Sequence, residues 1–133
     1  MTVNSLVSVS LDPPLLLFCA RLHSVTAAAV IERGRFSANL LGEDQDRVAR
    51  HFASGMAAPA TFGLNHDRDH VWLEGTVASL LCTVQDVHRA GDHHIIVGRI
   101  GRIVDTPSPP LPLIYHEGTY RSLGLAGDDV RLP

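Results

Sequence analysis

MTVNSLVSVSLDPPLLLFC, residues 1–19, carries the most directive pattern in the chain. Polar side chains cluster at Thr2, Asn4 and Ser5, then at Ser8 and Ser10. Asp12-Pro13-Pro14 follows, and Leu15 to Phe18 is continuously apolar. Proline donates no hydrogen bond to a sheet ladder, so the run breaks there into strands over Val7–Leu11 and Leu15–Cys19. Small hydroxyls and an amide ahead of a rigid turn suit the binding of a polar, planar ligand.

Outward from this stretch, Ser24–Arg33 has helical spacing, with Ser24 as N-cap and Gly34 as the stop. Arg35–Leu41 reads as a short strand. Glu43–Ala53 sets Val48, Ala49 and Phe52 at helical spacing among charges, which predicts an amphipathic helix. Ala57–Asp69 is loop-rich. Trp72–Asp86 reads as one bent strand with Gly75 as a bulge. A turn over His88–Asp92 leads into a strand over His94–Asp105, the two strands pairing as a hairpin. Thr106–Pro112 holds four prolines and must be an exposed connector. Leu113–Tyr115 reads as a last short strand and residues 118–133 as a loosely packed tail. Many short strands, two helices and no β-α alternation predict a mainly β fold, a barrel with helical excursions, in a single domain over residues 1–133.

Composition narrows the function classes. A net charge of −3 leaves no broad basic surface for nucleic-acid backbones. All 11 basic residues are Arg, and the acidic ones are scattered. Cys19 and Cys82 lie in apolar runs with no short-spaced framework, so buried, reduced thiols are expected. No apolar run approaches the ~18 residues of a membrane span, and no leader pattern opens the chain, so a cytoplasmic location is the expectation. His66 and His70 have a spacing that would align two imidazoles on a helix, and His88, His93 and His94 lie close in sequence. The first pair falls in a loop-like stretch without H-E-x-x-H, so no metal is expected. Neither G-x-G-x-x-G, a P-loop nor G-x-S-x-G is present.

Four segments together resemble one family. Thr2 to Pro14 follows T-x-N-S-F-x-S-V-S-x-x-P-P, with Leu6 for Phe. Phe36 to Leu41 resembles F-a-V-N-x-L, with Asn39 at the amide. Gly91 to Ile100 follows G-D-H-x-I-x-x-G-x-V, with Ile100 for Val. Leu113 to Tyr120 resembles L-x-Y-x-x-G-x-Y. These are similar, in order, to the signatures of the flavin reductase domain, an FMN-binding split β-barrel. The resemblance runs from Thr2 to Tyr120, and the family's usual upstream segment is missing, so the chain reads as N-terminally truncated relative to it.

The resemblance implies an NAD(P)H:flavin oxidoreductase that supplies reduced FMN or FAD to a partner monooxygenase, and a homodimer. NADH or NADPH would be the hydride donor. Thr2, Asn4, Ser5, Ser8 and Ser10 would face the isoalloxazine ring or ribityl chain. Arg21, Ser24 and Thr26 would form a phosphate site at a helix N-terminus, although Ser24 reads equally as a plain cap. Asn39 serves as a flavin contact or a strand-end tie, and Tyr120 as a stacking or core residue. His93, at the rim of the Gly91-Asp92 turn, would meet the nicotinamide, and Gly98 would permit close approach of a backbone or ligand. A non-catalytic flavin-binding or interaction module is the alternative.

Overall fold

The turn at Asp12-Pro13-Pro14 forms where proline demands it, joining β1 (Val7–Leu11) to β2 (Pro14–Arg21). The computed structural model describes residues 1–59 and 61–123. Next come α1 (Val25–Arg33), β3 (Arg35–Leu40), α2 (Asp46–Ala53), β4 (Leu64–His66) and β5 (Val71–Leu73). The long strands β6 (Ala78–Ala90) and β7 (His93–Asp105) follow, then β8 (Leu113–His116) and β9 (Thr119–Ser122). Five strands form one sheet in the order β1-β2-β7-β6-β3, and β4-β5 and β8-β9 are separate two-stranded units. All pairings are antiparallel. The fold is mainly β with two short helices, as the sequence predicts. The sheet is open: β1 and β3 are its outer strands, and they do not pair with each other among the described residues.

Alternation explains the core. Along β2, Leu16, Phe18 and Ala20 are buried while Leu15, Leu17 and Cys19 are half-buried on the other face. Register sets Leu16 beside Gly98, Phe18 beside Ile96 and Ala20 beside His94 on β7. Phe18, Ala20, Ile96 and Ala27 of α1 form the core cluster, with Val30, Ile31 and Phe36 packed on it. Phe36 meets Phe18 edge-on at 5.1 Å between centroids. Gly98 does permit a close approach, and its neighbour is the Phe36 ring: a Cβ at Gly98 would clash with Phe36 Cζ.

Helix α1 is bounded as expected. Ser24 Oγ accepts from Ala27 N, and Gly34, in the left-handed region, ends the helix. Four expectations need correcting. The predicted strand over Trp72–Asp86 is two strands, because Gly75 at φ 67 turns the chain rather than bulging it. The bulges fall later, between Leu81 and Cys82 and between Val84 and Asp86. The turn predicted over His88–Asp92 shrinks to Gly91-Asp92, with Ala90 already paired to His93. Helix α2 starts at Asp46 rather than Glu43, because Gln45 Oε1 accepts from Gly42 N and holds the preceding residues in a turn. Leu113–Tyr115 is not the last strand: Thr119–Ser122, inside the stretch read as a tail, pairs back on β8. The rest of that stretch, residues 124–133, lies outside the described residues.

Candidate functional site

The open side of the sheet leaves a cavity of about 480 Å³. The first residues of the chain border it at Met1, Thr2, Val3 and Leu6, and β3 along Phe36–Leu40. Phe52, Trp72, Leu73 and Tyr120 extend an aromatic and apolar wall. Among the described residues no charged side chain lines it, although the lining Met1 carries the terminal ammonium; the polar side chains are Thr2, Thr26, Ser37 and Asn39, with the Tyr115 and Tyr120 hydroxyls and the Trp72 indole. Such a chamber suits a planar ring with a few hydrogen-bonding edges, and no side chain described in its lining would neutralise a phosphate.

The candidate residues fall into three sets. Thr2, Thr26, Asn39 and Tyr120 line the cavity. Thr2 Oγ1 donates to Ala49 O at 2.7 Å, tying the start of the chain to α2. Asn39 Oδ1 accepts from Leu73 N at 3.0 Å and from Ser79 Oγ at 2.8 Å, so its carbonyl joins β3 to β5 and β6. Its Nδ2 has only a 3.5 Å contact to Ser37 O. Tyr120 packs on Tyr115, with the Arg50 guanidinium 4.8 Å from its ring centroid.

A second set lies along the N-terminal segment outside the cavity. Ser5 Oγ accepts from Cys19 N at 2.9 Å, which holds this segment on β2. Asn4 is exposed on a bend just before it. Ser8 is exposed and Ser10 half-buried on β1, with an irregular register between them.

The third set, Arg21, Ser24 and His93, gathers at one end of the sheet. Register sets Arg21 directly opposite His93. Leu22 N donates to Asp92 O, and Ser24 N to Arg21 O, both at 3.0 Å. Ser24 opens α1, and Thr26, two residues on, already lines the cavity. The end of the sheet that carries Arg21 and the cavity therefore meet at the start of α1. His93 shares a side of the sheet with Arg21, while His94 shares Ala20's core side, where its Nδ1 is buried without a partner among the described residues.

Sequence reasoning did not single out Trp72, Phe52, Ser37 or Arg50 for the site. Trp72 was hidden within an apolar run, and its approach to the cavity depends on the turn at Gly75. Asp92 is held below the usual carboxylate range by its hydrogen bond to His93, with a smaller pull from Arg21. Burial pushes the Cys82 thiol up to about 12. Cys19 and Cys82 are free thiols. Among the described residues no helix is long and apolar enough to cross a membrane.

Residues 1–124 match the family described as flavin reductase like domain. The chain belongs to that family. An NADH-dependent flavin reductase of a Rhodococcus species is 36% identical over 129 residues, 97% of this chain and 72% of that protein. The HsaB reductase subunit of a flavin-dependent monooxygenase from Mycobacterium tuberculosis is 34% identical, covering 90% of this chain and 66% of the subunit. An NADH:FAD oxidoreductase of Streptomyces globisporus, solved with NAD and FAD fragments, superposes with a TM-score of 0.88 at 28% identity, covering 96% of this chain and 79% of that one. The chain thus spans 66–72% of the length of these two flavin reductase relatives.

Proposed function

We propose that this flavin reductase domain is an NAD(P)H:flavin oxidoreductase that reduces FMN or FAD with NADH or NADPH and passes the reduced flavin to a partner monooxygenase. The observation that carries the reading is the aromatic-walled cavity, with no charged side chain lining it among the described residues, opening beside Arg21 and the start of α1. Family membership and the names of the relatives support it. The bound flavin supplies the hydride-accepting ring. The residues of the chain bind, orient and shield it.

Thr2, Thr26 and the Asn39 amide offer polar edges to the ring or ribityl chain. Asn4, Ser5, Ser8 and Ser10 lie outside the cavity and would meet only a part of the flavin that extends beyond it along the N-terminal segment. The phosphate belongs outside the chamber, at the start of α1, where first-turn N–H groups and the helix dipole favour an anion and Arg21 adds positive charge. His93, which does not line the cavity and lies on the sheet face away from Phe18 and Ala20, would meet the nicotinamide only at the open end beside Arg21. No acid or base on the protein is required for hydride passage between two cofactors. A cytoplasmic homodimer fits the same reading, with the open edge strand β1 and its exposed Val7, Val9 and Leu11 as the surface to be covered.

The test is oxidation of NADH or NADPH followed at 340 nm with and without added FMN or FAD. Flavin-dependent oxidation supports the enzyme. Flavin binding by equilibrium dialysis without any oxidation would leave a binding module. Absence of both would remove the flavin reading.

A further inference from the structure

The backbone around Trp72 is tied down on both sides. Ahead of it, His70 Nε2 donates to Cys82 O of β6 at 3.2 Å, and after it Leu73 N donates to Asn39 Oδ1 at 3.0 Å. The indole is held differently. Trp72 lines the cavity, and the Arg102 guanidinium of β7 stands 5.2 Å from the centroid of its ring. Arg102 does not itself line the cavity, so the cation meets the ring from outside the chamber.

One carboxylate aims that guanidinium. Asp67, in the turn between β4 and β5, accepts from Arg102 Nη2 at 2.8 Å through Oδ2. Its other oxygen, Oδ1, accepts from Asp69 N at 2.8 Å and from His70 N at 2.7 Å, which closes the turn. Those backbone bonds, with a smaller pull from Arg102, hold the Asp67 carboxyl below the usual carboxylate range, so it faces Arg102 as an anion. Arg35 pairs with Asp69 in the same turn. The Arg102 and Asp67 side chains are 52% and 35% exposed, so the ion pair itself adds little to stability. Its effect is directional: it sets a long, flexible cation on one ring.

We infer that Asp67 is a positioning residue that acts through Arg102 to hold the Trp72 indole in place as a wall of the cavity. The ligand chemistry that matches is a flat aromatic ring laid against that wall. Use of the wall by a flavin rests on the proposed reductase activity; the fixing of the indole does not.

Asp67→Asn keeps an oxygen for Asp69 N and His70 N but turns an NH2 group toward Arg102, which releases it. Arg102→Met keeps an apolar stem beside the indole without the cation. The experiment compares wild type, both variants and the double variant. 15N relaxation of the indole N–H in the ligand-free protein reports ring motion, and gives one signal because Trp72 is the only tryptophan. Equilibrium dialysis with FMN and with FAD reports affinity, and melting curves report the fold.

The expected result is an order parameter of about 0.85 for the wild-type indole, falling below about 0.6 in each variant. Flavin affinity should fall about three- to tenfold in each, the value of roughly one cation–π contact, with the melting temperature nearly unchanged. The double variant should be no worse than Arg102→Met alone, because Asp67 acts only through Arg102. An indole that stays rigid in either variant, an unchanged flavin affinity or additive losses in the double variant would overturn the inference. A melting temperature that falls in step with affinity would overturn it too, by making the pair a tie of the fold. A wild type that binds neither flavin, yet loses indole order in both variants, would sink the flavin reading and leave the positioning of Trp72 standing.

Discussion

Asn39 ties three strands together and also borders the cavity. Its carbonyl oxygen accepts from a β5 backbone amide and a buried β6 hydroxyl, while its amide edges the cavity. Asn39→Ala leaves Leu73 N and Ser79 Oγ without that acceptor, and should destabilise the fold by about 1–3 kcal/mol, read by urea unfolding. Asn4 predicts the reverse, because it is exposed and its side chain makes no hydrogen bond among the described residues. Asn4→Ala should weaken flavin binding by roughly 0.5–1.5 kcal/mol with little change in apo melting temperature. A large stability loss with unaltered flavin affinity would mark Asn4 as structural. Cys82 adds a pH dependence. The unfolded thiol ionises near 9 and the folded one near 12, so above pH 9 the unfolded state sheds a proton that the native state keeps. Stability is fully present below pH 9 and falls as pH rises toward 12. Unfolding curves at pH 8 and pH 10.5 should differ in that direction, and Cys82→Ser should flatten the difference.

At the scale of the element, α1 is where the cap and the proposed phosphate site coincide. Ser24 caps the helix through Ala27 N. Ser24→Ala should cost about 1 kcal/mol and Ser24→Gly only a few tenths. Flavin affinity separates the roles: if the hydroxyl also meets the phosphate, both variants lose affinity equally despite their different stabilities. Melting curves beside equilibrium dialysis decide it. Helix α1 was legible because its signals are local, a Ser before the run and a Gly after it. The β1-β2 turn was legible for the same reason, since proline acts on its own backbone. The β5-β6 break was not, because Gly75 reads equally as a bulge or a turn until Asn39, 34 residues from Leu73, supplies the tie that separates the strands. The site divides along the same line. Thr2, Asn39 and Tyr120 were found through short motifs, while Trp72 and Phe52 reach the cavity only through long-range packing.

On the scale of the whole molecule, an open sheet with apolar residues on its edge strand favours self-association. Val9, at 49% exposure on β1, is the residue to test. Light scattering should give twice 14.4 kDa for the wild type. Val9→Lys should shift the population toward monomer, and a monomeric wild type would remove the dimer proposal. The chain has a single tryptophan, and it lines the cavity with the Arg102 guanidinium 5.2 Å from its ring centroid. Every photon of tryptophan emission therefore originates at that wall. An oxidised flavin entering the chamber would take up that emission by resonance energy transfer, while one held elsewhere on the surface would do so less efficiently. The protein thus carries its own optical gauge of occupancy, readable without a label and in the absence of any reductant.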